Sequence, residues 1–189
     1  LIIYSNIIDF YTGDLKSPWE RIADFPGGPR YGMVSFVIDN YAYVGLGTND
    51  NTKFFDFYQY NPNTDSWSKI QDFPGTSGVN AVGFSLNGYG YVGTGGSSND
   101  FWRYDQTTNT WSEITEIPQS QIHNAVCLTI QENAYICTGS YDDYCSKYDP
   151  ISDVWTEVDD FSVFSERVGA ASFSLLGKGY LGTGLYAYS

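Results

Sequence analysis

Twenty-two Asp and Glu against nine Lys and Arg in 189 residues give a net charge of −13. That argues against nucleic acid and anionic lipid as partners, since both need clustered cations, and no apolar run approaches the roughly 18 residues of a membrane span. The length suits one domain with a substantial core, and 18% aromatic residues, led by 17 Tyr, favour strands.

The chain begins at Leu1 rather than Met, which reads as a mature form or a fragment. Ile2, Ile3, Tyr4, Ile7, Ile8, Phe10 and Tyr11 form an apolar excess too short for a domain of its own. Asp9-Phe10-Tyr11 resembles Asp56-Phe57-Tyr58 further on. Trp19 then opens a pattern that returns at Trp67, Trp111 and Trp155, in steps of 48, 44 and 44 residues. A fixed period in this range signals a repeat architecture.

Aligned on these Trp residues, the copies agree position by position. Ile22, Ile70, Ile114 and Val158 follow at three residues, and Phe25, Phe73, Ile117 and Phe161 at six. A loop comes next, twice carrying Pro-Gly, at Pro26-Gly27 and Pro74-Gly75. A short apolar strand follows: Met33 to Phe36, Ala81 to Phe84, Ala125 to Leu128, Ala170 to Phe173. It ends in a tight turn at Asp39-Asn40, Asn87-Gly88, Gln131-Glu132 or Leu176-Gly177. Asn-Gly between apolar runs is a strong hairpin signal, because both residues tolerate positive φ. The returning strand holds a Tyr seven residues after Phe36, Phe84, Leu128 or Phe173, and runs into Gly45/Gly47, Gly93/Gly95, Cys137/Gly139 or Gly182/Gly184. After a polar loop, a third strand ends in Tyr60, Tyr104 or Tyr148. A turn rich in Asn, Asp, Thr and Ser then leads to the Trp of a fourth strand. Each unit thus has four short strands and no helical period.

A four-stranded unit of about 45 residues cannot bury both faces alone, and radial packing of such units makes a β-propeller. The spaced Gly pair, Tyr and Trp resemble the kelch family over essentially the whole chain. Arg30 and Arg167 match the family's Arg before the inner strand, where Gly78 and Ile122 stand in the other two copies. The phrasing Phe-Pro-Gly…Arg-Tyr-Gly with Tyr-Val-Gly-Thr-Gly looks like the exported bacterial subgroup of kelch-like proteins. The resemblance implies an all-β, kelch-type propeller spanning residues 1–189 as a single domain. The expected arrangement is four blades of four antiparallel strands. Residues 30–71, 78–115 and 122–159 supply three, and residues 167–189 with 1–24 supply a composite fourth. That closure predicts backbone pairing between a strand in residues 1–11 and the strand around Tyr180, removing two exposed edges. The alternative is a part-ring completed by another chain, so monomer and dimer both stay open.

Recurring Trp and Tyr at one register read as core between blades rather than as sugar-stacking platforms; Trp102, out of register, reads as partly exposed. One His, His123, is too few for a copper or zinc catalytic centre, and no nucleophile elbow is present. Asp50, Asp142-Asp143 and Asp159-Asp160 read as solvated loop acids, so no metal or cofactor is expected. Cys137 and Cys145 stand opposite each other if the hairpin turns at Tyr141, giving a disulfide or two buried thiols.

The loops around each inner strand vary while the strands repeat, and recognition is expected there. Arg30, Tyr31, Asn80, His123, Asn124 and Arg167 are placed toward the axis as candidate ligand contacts, with the two Arg as an anion-attracting spot. The reading is a non-catalytic binding or scaffold module for a protein or carbohydrate. The alternative is an enzyme on glycans or small molecules. The subgroup resemblance implies an extracytoplasmic location after removal of a signal peptide.

Overall fold

The computed structural model describes residues 6–8, 19–76, 78–96, 98–119, 122–140, 144–160 and 167–186, and every regular element among them is a strand. Strands β1 (Asn6–Ile8) and β2 (Trp19–Arg21) pair with each other. The first complete blade is β3 (Val34–Ile38), β4 (Tyr41–Gly45), β5 (Phe57–Asn61) and β6 (Ser66–Lys69). The second is β7 (Val82–Leu86), β8 (Tyr89–Gly93), β9 (Phe101–Asp105) and β10 (Thr110–Ile114). The third is β11 (Val126–Ile130), β12 (Asn133–Cys137), β13 (Tyr144–Asp149) and β14 (Val154–Asp160). Beyond them, β15 (Arg167–Val168) pairs with β18 (Leu185–Tyr186), and β16 (Ala171–Leu175) with β17 (Lys178–Gly182). Each four-stranded sheet is an antiparallel meander in chain order.

The turns form where residues accept a left-handed backbone. The first residue of each inner hairpin turn, Asp39, Asn87, Gln131 or Leu176, has φ between 50° and 55°. Inside the hairpin, Phe36 stacks on Tyr43 and Phe84 on Tyr91, with ring centroids 5.1 and 5.0 Å apart.

The blades follow one another through their inner strands: β3 packs beside β7, β7 beside β11 and β11 beside β16. Two backbone ladders stitch this arc together. In one, Asn80 N–H donates to Gly32 O, Asn124 N–H to Asn80 O, and Gly169 N–H to Asn124 O. In the other, Gly47 N–H donates to Gly78 O, Gly95 N–H to Ile122 O, and Gly139 N–H to Arg167 O. The second Gly of each pair is required here by conformation and by space. Gly47 and Gly95 have φ of 95° and 85°, and a Cβ would stand 2.7 Å from the carbonyl oxygen of Tyr31 or Val79.

The polar turn before each Trp clamps the outer edge of the preceding blade. Asp65, Asn109 and Asp153 sit at φ 45–55°. Each accepts from the Tyr of its own blade, Tyr60, Tyr104 or Tyr148. Each also accepts from a backbone N–H just past the preceding blade's last strand: Ala23, Gln71 or Thr115. The indole N–H of Trp67, Trp111 and Trp155 donates to the carbonyl of those same three residues, at 3.0, 3.1 and 2.8 Å. Trp155 is buried and Trp67 and Trp111 are half-buried. Phe57 lies against Trp111 and Phe101 against Trp155, so the recurring aromatics are core between blades. The side chain of Trp19 lies outside the described residues.

The two ends of the arc do not meet among the described residues. β1 pairs with β2 alone, β17 pairs with β16 alone, and β16 and β17 pack only against β11. Asn6–Ile8 does not pair with the strand around Tyr180, and the remainder of residues 1–11, on which the expected composite blade also depends, lies outside the described residues.

Candidate functional site

The ladder from Gly32 through Asn80 and Asn124 to Gly169 marks the axial side of the arc, where the chain enters each inner strand. Asn80 and Asn124 hold this place with φ of 57° and 56°, a conformation Asn accepts more readily than most residues. His123 precedes Asn124, and its carbonyl accepts the N–H of Ser140 at 3.0 Å. The neighbouring Gly139 N–H donates to Arg167 O, so the backbones at His123 and Arg167 are held through one two-residue segment. Asn80, His123, Asn124 and Arg167 therefore lie on consecutive, hydrogen-bonded connections. All four are half-buried.

The two Arg residues share a local contact. Arg30 Nη1 donates to Leu46 O at 3.3 Å, and Arg167 Nη1 to Thr183 O at 3.1 Å, the middle residue of the Gly-x-Gly pair in each blade. Arg30 then turns into its own blade. Its guanidinium pairs with both carboxylate oxygens of Asp56, donates to Gly27 O, and lies 3.8 Å over the Phe54 ring. Burial alone would raise the Asp56 carboxyl; the Arg30 hydrogen bond and charge, helped by Tyr58, overcome it and hold Asp56 below its ordinary value. With its side chain 1% exposed, Arg30 braces the fold and does not offer its charge at the channel mouth. The repeat pattern does not show this because Asp56 lies 26 residues away, just ahead of the third strand.

Tyr31 is 46% exposed, and its hydroxyl donates to Asp50 at 2.7 Å. That hydrogen bond, with a small burial contribution and the Asp50 charge, raises the phenol above its ordinary value. In the second blade, Asp100 stands at the place of Asp56 but has Gly78 in place of an Arg. It accepts instead from Thr76 N–H at 2.8 Å and Trp102 Nε1 at 3.2 Å, and from the Ser98 hydroxyl. Trp102 is half-buried, held by that bond. Thr94, between Gly93 and Gly95, and Thr138, between Cys137 and Gly139, carry buried hydroxyls without a hydrogen-bond partner. The only sequence signal for them is a polar residue where the first blade has Leu46.

Cys137 and Cys145 are bonded, as directly opposed residues of β12 and β13. They occupy the register of Gly45–Phe57 and Gly93–Phe101. In those blades a Cβ on the Gly would collide with the Phe ring, so the third blade exchanges a small–large pair for two medium residues. Cys127 is a free thiol on β11, donating to Gly83 O, and burial pushes it up to about 11. Among the described residues no three His, Cys, Asp or Glu side chains gather as a metal site, and no helix is long and apolar enough to cross a membrane. Tyr141, Asp142 and Asp143 lie outside the described residues.

Residues 89–118 match the kelch motif. N-acetylneuraminate epimerases from two Haemophilus influenzae strains, PittEE and 86-028NP, are each 44% identical over 62 residues, covering 29% of this chain and 16% of theirs. The N-acetylneuraminate epimerase of Escherichia coli O9:H4 (strain HS) is 41% identical over 64 residues, covering 31% of this chain and 17% of that protein. The matches thus span about a sixth of these relatives' length. The solved structure of YjhT superposes with a TM-score of 0.72 at 23% identity, over 82% of this chain and 59% of that one, a likeness of fold. Residues 89–118 are thus similar to a kelch motif, and the fold is that of a kelch-type β-propeller.

Proposed function

From a kelch-repeat propeller with a polar axial arc, we propose a carbohydrate-binding function, with an acidic sugar of the sialic acid class as ligand. The observation that carries the reading is the stretch of 44% identity to proteins named for N-acetylneuraminate. The arc supports it chemically. Asn80 and Asn124 offer amides for hydroxyl and acetamido groups, His123 adds a ring nitrogen, and Arg167 has the planar donor fork that suits a carboxylate. Arg30 is left out, because its guanidinium is committed to Asp56. Extracytoplasmic location belongs to the same proposal, and the Cys137–Cys145 disulfide favours it.

Titration calorimetry with N-acetylneuraminate, against N-acetylglucosamine as the neutral control, tests the reading. Saturable binding of the acidic sugar alone, weakened tenfold or more by Arg167→Ala, is expected. Equal binding of both sugars, or no binding of either, refutes it. The relatives' name also favours a second reading, in which the sugar is turned over. Proton NMR of N-acetylneuraminate stereoisomers, brought to equilibrium faster by the protein, would establish an epimerase in place of a binding module.

A further inference from the structure

The segment that follows β4 is longer than its counterpart in the second blade. Eight residues, 48–55, separate Gly47 from Asp56, whereas four, 96–99, separate Gly95 from Asp100. The extra residues build a hairpin. Thr48 bridges Tyr31 on one side and Lys53 on the other. Asn49 N–H donates to Thr52 O at 3.2 Å, Thr52 N–H to Asn49 Oδ1 at 3.1 Å, and Phe54 N–H to Gly47 O at 2.9 Å. Residues directly opposed on antiparallel chains put their side chains on one face, with Cβ atoms about 5 Å apart. Tyr31, Thr48 and Lys53 therefore stand in a row.

Both ends of the row are open to solvent and held in place. The Tyr31 ring is 46% exposed, and its hydroxyl is fixed on Asp50. The Lys53 stem lies over Gly78, with Cδ 3.4 Å from where a Cβ on that Gly would stand. A stem packed in this way leaves the ammonium in water. Arg21, Arg30 and Lys69 pair with Asp24, Asp56 and Asp72, whereas Lys53 has no ion pair among the described residues. The hairpin's own acid, Asp50, is turned to Tyr31. The row also adjoins the axial arc. Gly78 O accepts Gly47 N–H, and Gly32 O, next to Tyr31, accepts Asn80 N–H. A Cβ on Gly32 would stand 2.8 Å from Asn80 Oδ1, so the Asn80 amide lies beside the row.

We propose that this row is a subsite at the Asn80 end of the acidic-sugar site. Lys53 pairs with the anionic group of the ligand, and the Tyr31 ring packs on an apolar face of the sugar. The inference rests on the acidic-sugar reading above and adds residues that select the acid. A fixed aromatic face with one placed cation beside an amide is the composition of a small-molecule subsite. A hairpin held by its own hydrogen bonds costs little further ordering when a ligand binds. Lys53 supplies a point charge, distinct from the planar fork of Arg167.

Titration calorimetry on the whole chain, with N-acetylneuraminate and with its methyl ester, tests this, because the ester removes the charge and keeps the ring. Lys53→Gln should weaken the acid about fivefold, the upper range for an exposed ion pair, and leave the weaker binding of the ester unchanged. Lys53→Arg should keep the affinity for the acid. Tyr31→Ala should weaken acid and ester alike, by about tenfold. Both side chains are exposed, so circular dichroism should not change. If the wild type binds the acid and Lys53→Gln binds it as tightly, the inference is overturned and the acidic-sugar reading survives. An equal loss for acid and ester in Lys53→Gln also overturns it, making Lys53 a prop of the hairpin. So does a Tyr31→Ala variant that binds both as the wild type does. A wild type that binds neither compound removes the acidic-sugar reading, and this inference with it.

Discussion

The third blade offers a sharp test of how one register accommodates two chemistries. Where Cys137 faces Cys145, the first two blades pair Gly45 with Phe57 and Gly93 with Phe101. Reductant should first remove the crosslink, which spans a sequence separation of 8 residues and is worth about 2.5 kcal/mol in chain entropy. With the thiols reduced, Cys137→Gly should cost about 1 kcal/mol, for a Gly inside a strand. Cys145→Phe should cost about 2 kcal/mol through overpacking, because a Cβ at the equivalent Gly45 position stands 2.5 Å from the Phe57 ring. The double variant recreates the Gly–Phe pair. Burial of the ring, worth about 1.5 kcal/mol even if partial, then offsets the strand Gly, and the double variant should lie close to the reduced wild type. Simple additivity would put it about 3 kcal/mol lower. Urea unfolding followed by Trp fluorescence measures all four proteins. An additive double variant would show that the two registers are not interchangeable and that the repeat logic fails at this pair.

The remaining expectations concern the clamps. Asn109→Gly keeps the left-handed turn but removes the acceptor for Tyr104 and Gln71, and should cost about 2 kcal/mol at about 1 kcal/mol per bond. Trp111→Phe loses the indole bond to Gln71 O and part of the ring packing on Phe57, Phe73 and Tyr104, and should cost about 2 kcal/mol in the same urea assay. Arg30→Met leaves Asp56 partly buried without its partner, for a loss of about 3 kcal/mol. Because Asp56 is held below its ordinary value of 3.8, its paired charge contributes stability above that pH and loses it below. The gap between wild type and Arg30→Met should therefore shrink in melting curves taken as pH falls through 4; a constant gap would remove the ion pair from the account. At the alkaline end, the Asp65 hydrogen bond pushes Tyr60 up to about 12, and burial pushes Tyr104 up to about 12 and Tyr148 higher still. The unfolded chain gives up these protons first, so stability is complete below pH 10 and should be lost between about 10 and 12. Melting temperature and tyrosinate absorbance at stepped pH measure this, and a flat melting profile across that window would contradict it.

Sequence by itself determined the blades, because each is held by contacts between near neighbours in the chain. Alternating apolar residues, a left-handed turn at Asn87-Gly88 and a Tyr seven residues after Phe84 specify a hairpin whatever surrounds it. Even the Trp register was legible, since Trp67, Trp111 and Trp155 repeat one interaction at one spacing. The site was legible only as places on connections. Asn80, His123, Asn124 and Arg167 fall on one hydrogen-bonded arc, whereas Arg30, equivalent in register to Arg167, is drawn inward by Asp56, just ahead of its own blade's third strand. The coupling of Cys137 with Cys145 was half visible, because the lost Gly stood out and the lost Phe did not. Tertiary structure alone decided the ends. Whether β17 meets β1 depends on the angle accumulated from blade to blade. That angle is set by how Phe36, Gly90 and their equivalents interlock across blades, and no local pattern in the chain encodes it.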